Sequence, residues 1–406
     1  MRKVSAVQGC ENLNRIYFDH AATTPVSAEV FEAMKPYFCD VFGNANSQHA
    51  FGREAEKAVD GARKQLAAAL NCGCNEIYFT SGGTESDNWA VLGTAYANIK
   101  KGKHIITSKI EHAAVMSPCE QLVKRGFEVS YIDVGKDGVT DLDKLKRAIR
   151  PDTTLISVMT ANNEIGTLQP VKEIAKIAAE AGITCHTDAV QACGAIKLDV
   201  KDLGVNLLSI SAHKIYGPKG IGALYIKNGT KIDKLVSGGH QERAYRGGTT
   251  NVPAAAGFGT AIGIADKNID KNAAYVSGLR DRFIDRVLKE IPHVRLNGHR
   301  TERLPNNASF SFEFVEGESL LMSLDMKGVA CSSGSACSSG SLDASHVILA
   351  LGSTHEIAQG TVRFSFGKDN TAAEIDYCID ELKAIVERLR AMSPLFAEYK
   401  TKKKFV

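Results

Sequence analysis

Residues Leu207–Leu224 read LLSISAHKIYGPKGIGAL, and this stretch decides how the remaining sequence is interpreted. An apolar run over 205–210 stops at a short polar stretch that ends in Lys214, and a second apolar run begins at Ile221. Two short apolar runs joined by a turn with glycine and proline predict two buried strands. A lysine at such a sheet end, partly shielded from water, can form a Schiff base. A lone lysine in such a turn is more often a solvated loop residue than a Schiff-base lysine. The residues at the other strand ends must therefore decide between these two interpretations of Lys214.

Composition and charge exclude several classes of protein. A chain of 406 residues is long enough for two domains, and 44% hydrophobic with 23% charged residues is typical of a soluble globular protein. A net charge of +3 is too small for a nucleic-acid-binding surface, and no apolar run is long enough to span a bilayer. The first residues lack the apolar core of a secretion signal, and ten cysteines are too few for a disulfide scaffold. We therefore expect a cytoplasmic protein that binds neither nucleic acid nor membrane.

Short apolar segments alternate with helical ones along the first half of the chain. The segments 76–80, 104–108, 154–159 and 182–187 predict strands, and apolar spacing predicts helices such as 53–70 and 171–181. This alternation predicts an α/β fold with a mostly parallel sheet sandwiched by helices. Ligands of such sheets bind beyond the carboxyl ends of the strands. Those ends present a set of polar side chains: Thr84, His112, Asn163, Asp188, Gln191, Ser211, His213 and Lys214.

The turn after the strand 76–80 predicts an anion-binding site. It reads SGGTESDN over 81–88, and a helix is expected to open at Trp89. Free backbone amides and the helix dipole would face a ligand there, and Thr84 adds a hydroxyl. The turn matches neither the dinucleotide-binding GxGxxG pattern nor the phosphate loop of NTPases. Dinucleotide binding and NTP binding therefore lack the sequence motif that would be their main support.

This combination of side chains predicts a site for pyridoxal phosphate. The cofactor needs a lysine for the Schiff base, a carboxylate for its pyridine nitrogen, an anion cradle and an aromatic partner for its ring. We expect Asp188 to pair with the pyridine nitrogen, Gln191 to bond to the phenolic oxygen, and His112 to stack on the ring. The cradle for the phosphate would be formed by Gly83, Thr84, Ser211 and His213.

The run 211–220, SAHKIYGPKG, resembles the cofactor-lysine motif of class V aminotransferases, in particular of cysteine desulfurases of the NifS/IscS type. The segments 19–25, 81–88, 111–112, 162–166, 187–191 and 238–251 match in family order, and the resemblance covers about residues 15–385. Departures are mild: Gly83 stands where alanine is common, and Gly248, or equally Gly247, stands where serine is common. No functional side chain is lost. The resemblance implies the pyridoxal-phosphate fold type I. It also implies that Thr249 reaches the phosphate of a partner subunit, and hence a homodimer.

Composition changes after Pro253, which predicts a second domain. Helical stretches over 254–265 and 273–291 lead to an alternating strand over 308–312. We predict a large cofactor-binding α/β domain over 21–264. The smaller α+β domain would combine 1–20 with 265–406.

The segment 329–342 is rich in serine and glycine and carries Cys331 and Cys337. Such a composition predicts an exposed, mobile loop whose thiols are available as nucleophiles. A plain linker with incidental thiols would look the same, and no neighbouring histidine or cysteine completes a metal site. Residues 332–337, SSGSAC, resemble the catalytic-cysteine loop of the family in its longer, group I form. The resemblance implies that Cys337 forms the persulfide, and that no intrinsic metal is bound, although Cys337 could ligate an iron–sulfur cluster transiently together with a scaffold.

The resemblance implies conversion of L-cysteine to L-alanine, with sulfur carried as a persulfide on Cys337 to acceptors for iron–sulfur cluster assembly or other thio-cofactors. Arg363 matches the family arginine that binds the substrate carboxylate, and Asn163 is expected beside substrate and cofactor. Lys214 would remove the α-proton, and His112 would act as acid and base. An IscU/NifU-like scaffold protein is the expected acceptor.

Two other readings stay open from the sequence. A selenocysteine lyase or another class V aminotransferase would share the lysine and the sheet without needing a cysteine loop. A non-enzymatic sulfur carrier would not need Lys214. The sequence leaves open the acceptor and the roles of Cys10, Cys39 and Cys331.

Overall fold

The computed structural model describes residues 15–333 and 344–403. Its strands form a seven-stranded sheet, a three-stranded sheet and one short two-stranded pair. In chain order the strands are β1 (Ile16–Tyr17), β2 (Ile77–Thr80), β3 (His104–Ser108), β4 (Glu128–Ile132), β5 (Thr153–Ser157), β6 (Thr184–Asp188), β7 (Leu207–Ser211), β8 (Gly222–Ile226), β9 (Val294–Asn297), β10 (Asn307–Phe312), β11 (Val329–Ala330) and β12 (Thr361–Ser365).

The large sheet has the order β2-β8-β7-β6-β5-β3-β4. Strands β3 to β7 pair in parallel, whereas β8 is antiparallel to both of its neighbours. The predicted mostly parallel α/β sheet is therefore confirmed. Because parallel strands end at the same edge, their carboxyl ends collect the side chains that follow them.

Helices cover this sheet and join it to the small one. They are α1 (Ala28–Met34), α2 (Pro36–Cys39), α3 (Ala50–Ala69), α4 (Gly83–Asn88), α5 (Thr94–Ala97), α6 (Ala113–Val123), α7 (Leu142–Ala148), α8 (Val171–Glu180), α9 (Val200–Leu203), α10 (Val252–Glu290), α11 (Gly317–Asp325), α12 (His346–Ala350), α13 (His355–Gln359), α14 (Ala372–Ala391) and α15 (Pro394–Lys403). None of the helices in the described ranges is both long enough and apolar enough to cross a membrane.

The two largest apolar cores among the described residues pack against different sheets. The larger core packs α3, α8 and the start of α10 against the large sheet, with Leu66, Ile174 and Phe258 almost fully buried. The smaller core packs the end of α10 and α14 against the small sheet around Phe283 and Phe310. These two cores support our proposal of a large domain over 21–264 and a small one made of 1–20 and 265–406, which stays a prediction.

Two helix boundaries differ from the sequence prediction. The stretches 254–265 and 273–291 belong to one continuous helix of 39 residues, α10. The polar residues between them face outward, and no glycine or proline there interrupts the helical hydrogen bonds. The helix expected at Trp89 begins instead at Gly83, because the backbone amide and the hydroxyl of Ser86 both donate to the Gly82 carbonyl oxygen. Residues Trp89–Gly93 form a π-helical turn within this helical run.

Candidate active site

An open cleft of about 910 Å³ lies at the carboxyl ends of the central strands. Ten of the predicted site residues line it together with backbone from the turn after β1. They are Gly83, Thr84, His112, Asn163, Asp188, Gln191, Ser211, His213, Lys214 and Arg363. The structure thus brings together residues that are spread over 281 positions of the sequence, from Gly83 to Arg363.

Lys214 is half-buried in the 3₁₀ turn that follows β7. Its Nζ donates to the carbonyl oxygens of Ala21 at 2.6 Å and Ala22 at 2.7 Å. Gln191 Nε2 donates to the same Ala21 carbonyl at 2.9 Å. The small-residue turn after β1 therefore holds the lysine side chain in the cleft, with its amino group among the other candidate residues.

One side of the cleft is suited to an anion. The Ser211 hydroxyl at the end of β7 is buried and has no hydrogen-bond partner within the described part of the chain. Gly83 opens α4 close to Val190, since a Cβ at that position would lie 2.6 Å from Val190 Cγ2. Thr84 follows on the first turn of the same helix. Helix amides, the Thr84 hydroxyl and the Ser211 hydroxyl are the kinds of donor that suit a phosphate, and they are called the phosphate cradle below.

His213 lies beside this cradle as a neutral imidazole. Its Nδ1 is 3.1 Å from the Thr23 hydroxyl. Burial, followed by the nearby charges of Lys214 and Lys219, lowers the pKa of His213 to about 4. A neutral ring can offer one donor and one acceptor without adding charge to the site.

Asp188 ends β6 and is the buried carboxylate of the cleft. One of its oxygens accepts the Val190 backbone amide at 2.9 Å. Burial raises the pKa of Asp188, while His112 and Lys214 act in the opposite direction. A buried carboxylate is stabilised by a cationic partner. The position therefore suits the protonated pyridine nitrogen of a cofactor.

His112 caps the N-terminus of α6. Its Nδ1 accepts a hydrogen bond from the Ala114 amide at 3.1 Å. An Nδ1 that accepts carries no proton, so the neutral ring has its proton on Nε2. In this geometry Nδ1 of His112 is engaged by the helix cap, so taking up a proton at Nδ1 would require the cap bond to break.

Arg363 lies on β12 and is 2% exposed. Its Nη1 donates to the Asn163 carbonyl at 2.9 Å, and its Nη2 donates to the Asp19 carboxylate at 2.8 Å. Its Nε is buried and finds no acceptor among the described residues. A guanidinium with donors fixed by two partners is pre-positioned for a carboxylate.

The predicted cysteine loop, 329–342, begins in strand β11, contrary to its predicted loop character, and the described residues on both sides of Cys337 are attached beside the cleft. On one side, Ser332 exchanges two backbone hydrogen bonds with Arg363, at 3.1 and 2.6 Å. On the other side, the Ser345 hydroxyl donates to Glu164 at 2.5 Å, and His346 Nε2 is 3.1 Å from the Glu111 carbonyl oxygen. Cys337 itself lies outside the described residues, as does Cys10.

One predicted site residue, Thr249, does not line the cleft. Three residues for which the sequence predicted no role, Asp19, Asp87 and Glu111, take part in the site or its surroundings. Thr249 is exposed and lies outside the cleft of its own chain. Asp19, Asp87 and Glu111 were given no role from the sequence, although each directly adjoins or lies within a matched segment. Asp87 lines the cleft, and its burial, with Asp188 nearby, raises its pKa well above the usual range.

These residues fit pyridoxal phosphate. The buried Ser211 hydroxyl, which has no partner among the described residues, suits a phosphate oxygen, and Gly83 and Thr84 line the same cleft. Asp188 and Lys214 supply the carboxylate and the amine. The donor set contains no arrangement that suits a metal instead: within 15–333 and 344–403, no group of three or more histidine, cysteine or acidic side chains could hold an ion. The chemistry of the cleft therefore matches the cofactor predicted from the sequence.

Comparison with known proteins agrees with this geometry. Residues 16–378 match the family described as aminotransferase class-V. The chain is 53% identical to the cysteine desulfurase IscS of Dictyoglomus turgidum, over 96% of this chain and 99% of the relative, and 52% identical to that of Methanosarcina thermophila, over 98% and 100%. Among solved structures, a NifS-like protein shares 37% identity with a TM-score of 0.86, over 92% of this chain and 99% of the other.

A second solved structure, a NifS-like protein from Rickettsia africae, shares 30% identity with a TM-score of 0.83, over 92% of this chain and 100% of that chain. In each comparison the similarity thus extends over nearly the full length of this chain and of the relative, including every element that forms the cleft. The chain belongs to the class V aminotransferase family, as a pyridoxal-phosphate-dependent enzyme among the cysteine desulfurases of the NifS/IscS type.

Proposed function

We propose that the protein converts L-cysteine to L-alanine and carries the sulfur as a persulfide on Cys337 to acceptors for iron–sulfur cluster assembly or other thio-cofactors. The observation that supports this most directly is the attachment of the cysteine loop to the substrate-binding residue. Ser332 pairs with Arg363, and Cys337 follows five residues later. Five residues span at most about 18 Å, and this short connection to Arg363 supports a role for Cys337 in the reaction.

The roles of the residues follow from their positions. Pyridoxal phosphate, when bound, supplies the electron sink that stabilises a carbanion at the substrate α-carbon. Lys214 binds the cofactor and takes the α-proton, Asp188 holds the pyridine nitrogen protonated, and Arg363 with Asn163 orients the substrate carboxylate. The phosphate is held by Gly83, Thr84, Ser211 and His213, with Gln191 on the phenolic oxygen.

His112 and Cys337 handle the substrate sulfur. In this proposal His112 acts as the acid and base for the substrate thiol, and its ring takes up a proton at Nδ1 once the cap bond to Ala114 is released. Cys337 thiolate attacks the substrate sulfur, the carbon–sulfur bond breaks, and the carbon skeleton is protonated and leaves as alanine. The sulfur stays on Cys337 as a persulfide.

Cys331 is a poor alternative nucleophile. It packs against the small core, and burial, followed by the charge of Asp19, raises the pKa of its thiol well above the usual range. A protonated thiol is a weak nucleophile. Cys331 therefore serves as a matched control for Cys337.

The assembly that we propose is a homodimer, in which Thr249 of one chain bonds to the phosphate bound by the other. The exposed position of Thr249, outside the cleft of its own chain, supports this assembly. An IscU/NifU-like scaffold is the proposed acceptor of the sulfur.

The test is release of alanine and sulfide from L-cysteine with a thiol reductant, on wild type, Cys337→Ala and Cys331→Ala. We expect equimolar products from wild type and Cys331→Ala and neither product from Cys337→Ala, which should still bind the cofactor. Full turnover by Cys337→Ala would disprove the role of that cysteine. A wild type that binds cofactor, makes no sulfide and transfers an amino group to a 2-oxo acid would instead be a transaminase.

A further inference from the structure

Residues 241–251, here called the strap, run along the edge strand β2 and lead to Thr249. Three consecutive residues of the strap, Glu242, Arg243 and Ala244, have positive φ angles of 45°, 57° and 66°. Residues other than glycine rarely adopt this left-handed conformation, and it persists only where surrounding contacts impose it. The strap must therefore be held by specific contacts.

The first contact is a bidentate ion pair between Glu242 and Arg63 of α3. The two oxygens of Glu242 accept from Nη1 at 2.7 Å and Nη2 at 2.8 Å. The side chains are only 6% and 11% exposed. One oxygen also accepts the Phe79 amide at 3.0 Å. A buried carboxylate with three donors fixes the position of its backbone.

The strap also supplies hydrogen-bond partners for backbone groups at the open edge of β2. The Ile77 carbonyl accepts from Arg63 Nη1 at 2.7 Å and from Arg243 Nη2 at 2.8 Å. The Arg243 guanidinium lies 4.0 Å from the centre of the Tyr78 ring. Backbone groups at a sheet edge need such partners. The start of the strap is thus bonded to the sheet much as a further strand would be.

The second contact joins the strap to the phosphate cradle. Arg246 Nε and Nη2 donate to the two oxygens of Glu85 at 2.8 and 2.9 Å. Glu85 lies on α4 directly after Gly83 and Thr84, which line the cleft. Its carboxylate also accepts the Ser81 amide at 2.8 Å. The residue three positions before Thr249 is therefore fixed to the cofactor-binding turn of its own chain.

We propose that Arg63–Glu242 and Glu85–Arg246 are positioning pairs that present Thr249 to the cofactor phosphate of a second copy of the chain. This inference rests on the proposed function, which places Thr249 at that phosphate. It adds that Glu85 couples the two sites of a dimer, because the turn that cradles one phosphate also holds the residue that reaches the other.

The test compares pyridoxal phosphate with pyridoxal, which lacks the phosphate, as ligands of the full-length chain freed of cofactor. We expect Thr249→Ala to weaken pyridoxal phosphate binding about tenfold or more, since a hydrogen bond to a charged group is lost. Glu242→Gln and Arg246→Gln should weaken it to a similar degree. All three variants should bind pyridoxal as wild type does, and Thr249→Ala combined with Arg246→Gln should lose no more than either single variant.

Arg282→Gln is the matched control, because Arg282 forms a bidentate pair with Asp376 and neither residue lines the cleft. It should leave both affinities unchanged. If Thr249→Ala binds both ligands normally, the proposed role of Thr249 fails and the positioning role fails with it. If Thr249→Ala weakens pyridoxal phosphate binding but Glu242→Gln and Arg246→Gln do not, or if these two weaken both ligands equally, the positioning role alone is overturned.

Discussion

Asp19 accepts a hydrogen bond from Arg363 at 2.8 Å, although the two residues are 344 positions apart in sequence. The guanidinium proposed to bind the substrate carboxylate thus already holds a carboxylate of the chain. Asp19 fixes one end of the guanidinium, and the Asn163 carbonyl fixes another. The unbonded Nε remains for an incoming ligand.

Arg363→Lys tests this arrangement. A lysine keeps the charge beside Asp19 but loses the planar fork, so a bidentate contact with the substrate is no longer made. We expect KM for L-cysteine to rise about 10- to 100-fold, as for loss of a hydrogen bond between charged groups. Steady-state alanine production measures KM, and the cofactor absorbance should stay as in wild type. An unchanged KM would remove Arg363 from substrate binding.

Ser211→Ala should stabilise the cofactor-free chain but weaken its binding of pyridoxal phosphate. The buried Ser211 hydroxyl has no partner in the described part of the chain, and an unsatisfied buried polar group costs free energy. Removing it should raise the free energy of unfolding of the cofactor-free chain by about 1 kcal/mol. The same change should weaken pyridoxal phosphate binding about tenfold. Denaturant unfolding and cofactor titration measure the two effects, and a loss of stability without cofactor would contradict the assignment.

Asp188→Asn tests the partner of the pyridine nitrogen. The amide keeps the shape and the bond to the Val190 amide but removes the negative charge that holds the nitrogen protonated. We expect the cofactor to remain bound and kcat to fall about 10²-fold or more, as for loss of a charge-stabilising group. Single-turnover kinetics with L-cysteine would show the loss in the chemical step. A normal kcat would exclude the proposed charge pairing.

Glu111 should make stability depend on pH. Burial raises the pKa of its carboxyl from 4.5 to about 8, although hydrogen bonds from Ser108 and the Met159 amide act in the opposite direction. The folded chain therefore keeps a proton that the unfolded chain releases, and the free energy of unfolding falls as pH rises from about 4.5 to about 8. Glu111→Gln should remove this part of the pH dependence.

We expect Glu111→Gln to match wild type below about pH 4.5 and to exceed its free energy of unfolding at pH 8.5, by roughly 1 kcal/mol or more. Denaturant unfolding at a series of pH values measures this difference in the free energy of unfolding. Glu120→Gln, an exposed position on the same α6, is the control and should follow wild type at every pH. Parallel curves for Glu111→Gln and wild type would show that Glu111 is ionised in the fold.

The local parts of the fold and site were predictable, and the long-range ones were not. The strand His104–Ser108 was predicted at its observed limits, because a fully buried strand is a short apolar run. Strand β4 was missed, since an edge strand is largely half-exposed and its apolar pattern is weak. The strand-end residues were found because parallel strands end together. The Asp19–Arg363 pair and the buried Asp87 depend on contacts between distant elements, which no local pattern encodes.

Helix α10 runs through both apolar cores without a break, and at 39 residues it is about 58 Å long. The predicted boundary at 264–265 falls inside this helix, so it offers no hinge. The large sheet and the small sheet that carries Arg363 both pack against this one uninterrupted helix, so a hinge between the two cores would have to break its backbone hydrogen bonds. We therefore expect substrate entry and product release to depend on local movements at the rim of the cleft instead of on rotation of whole domains.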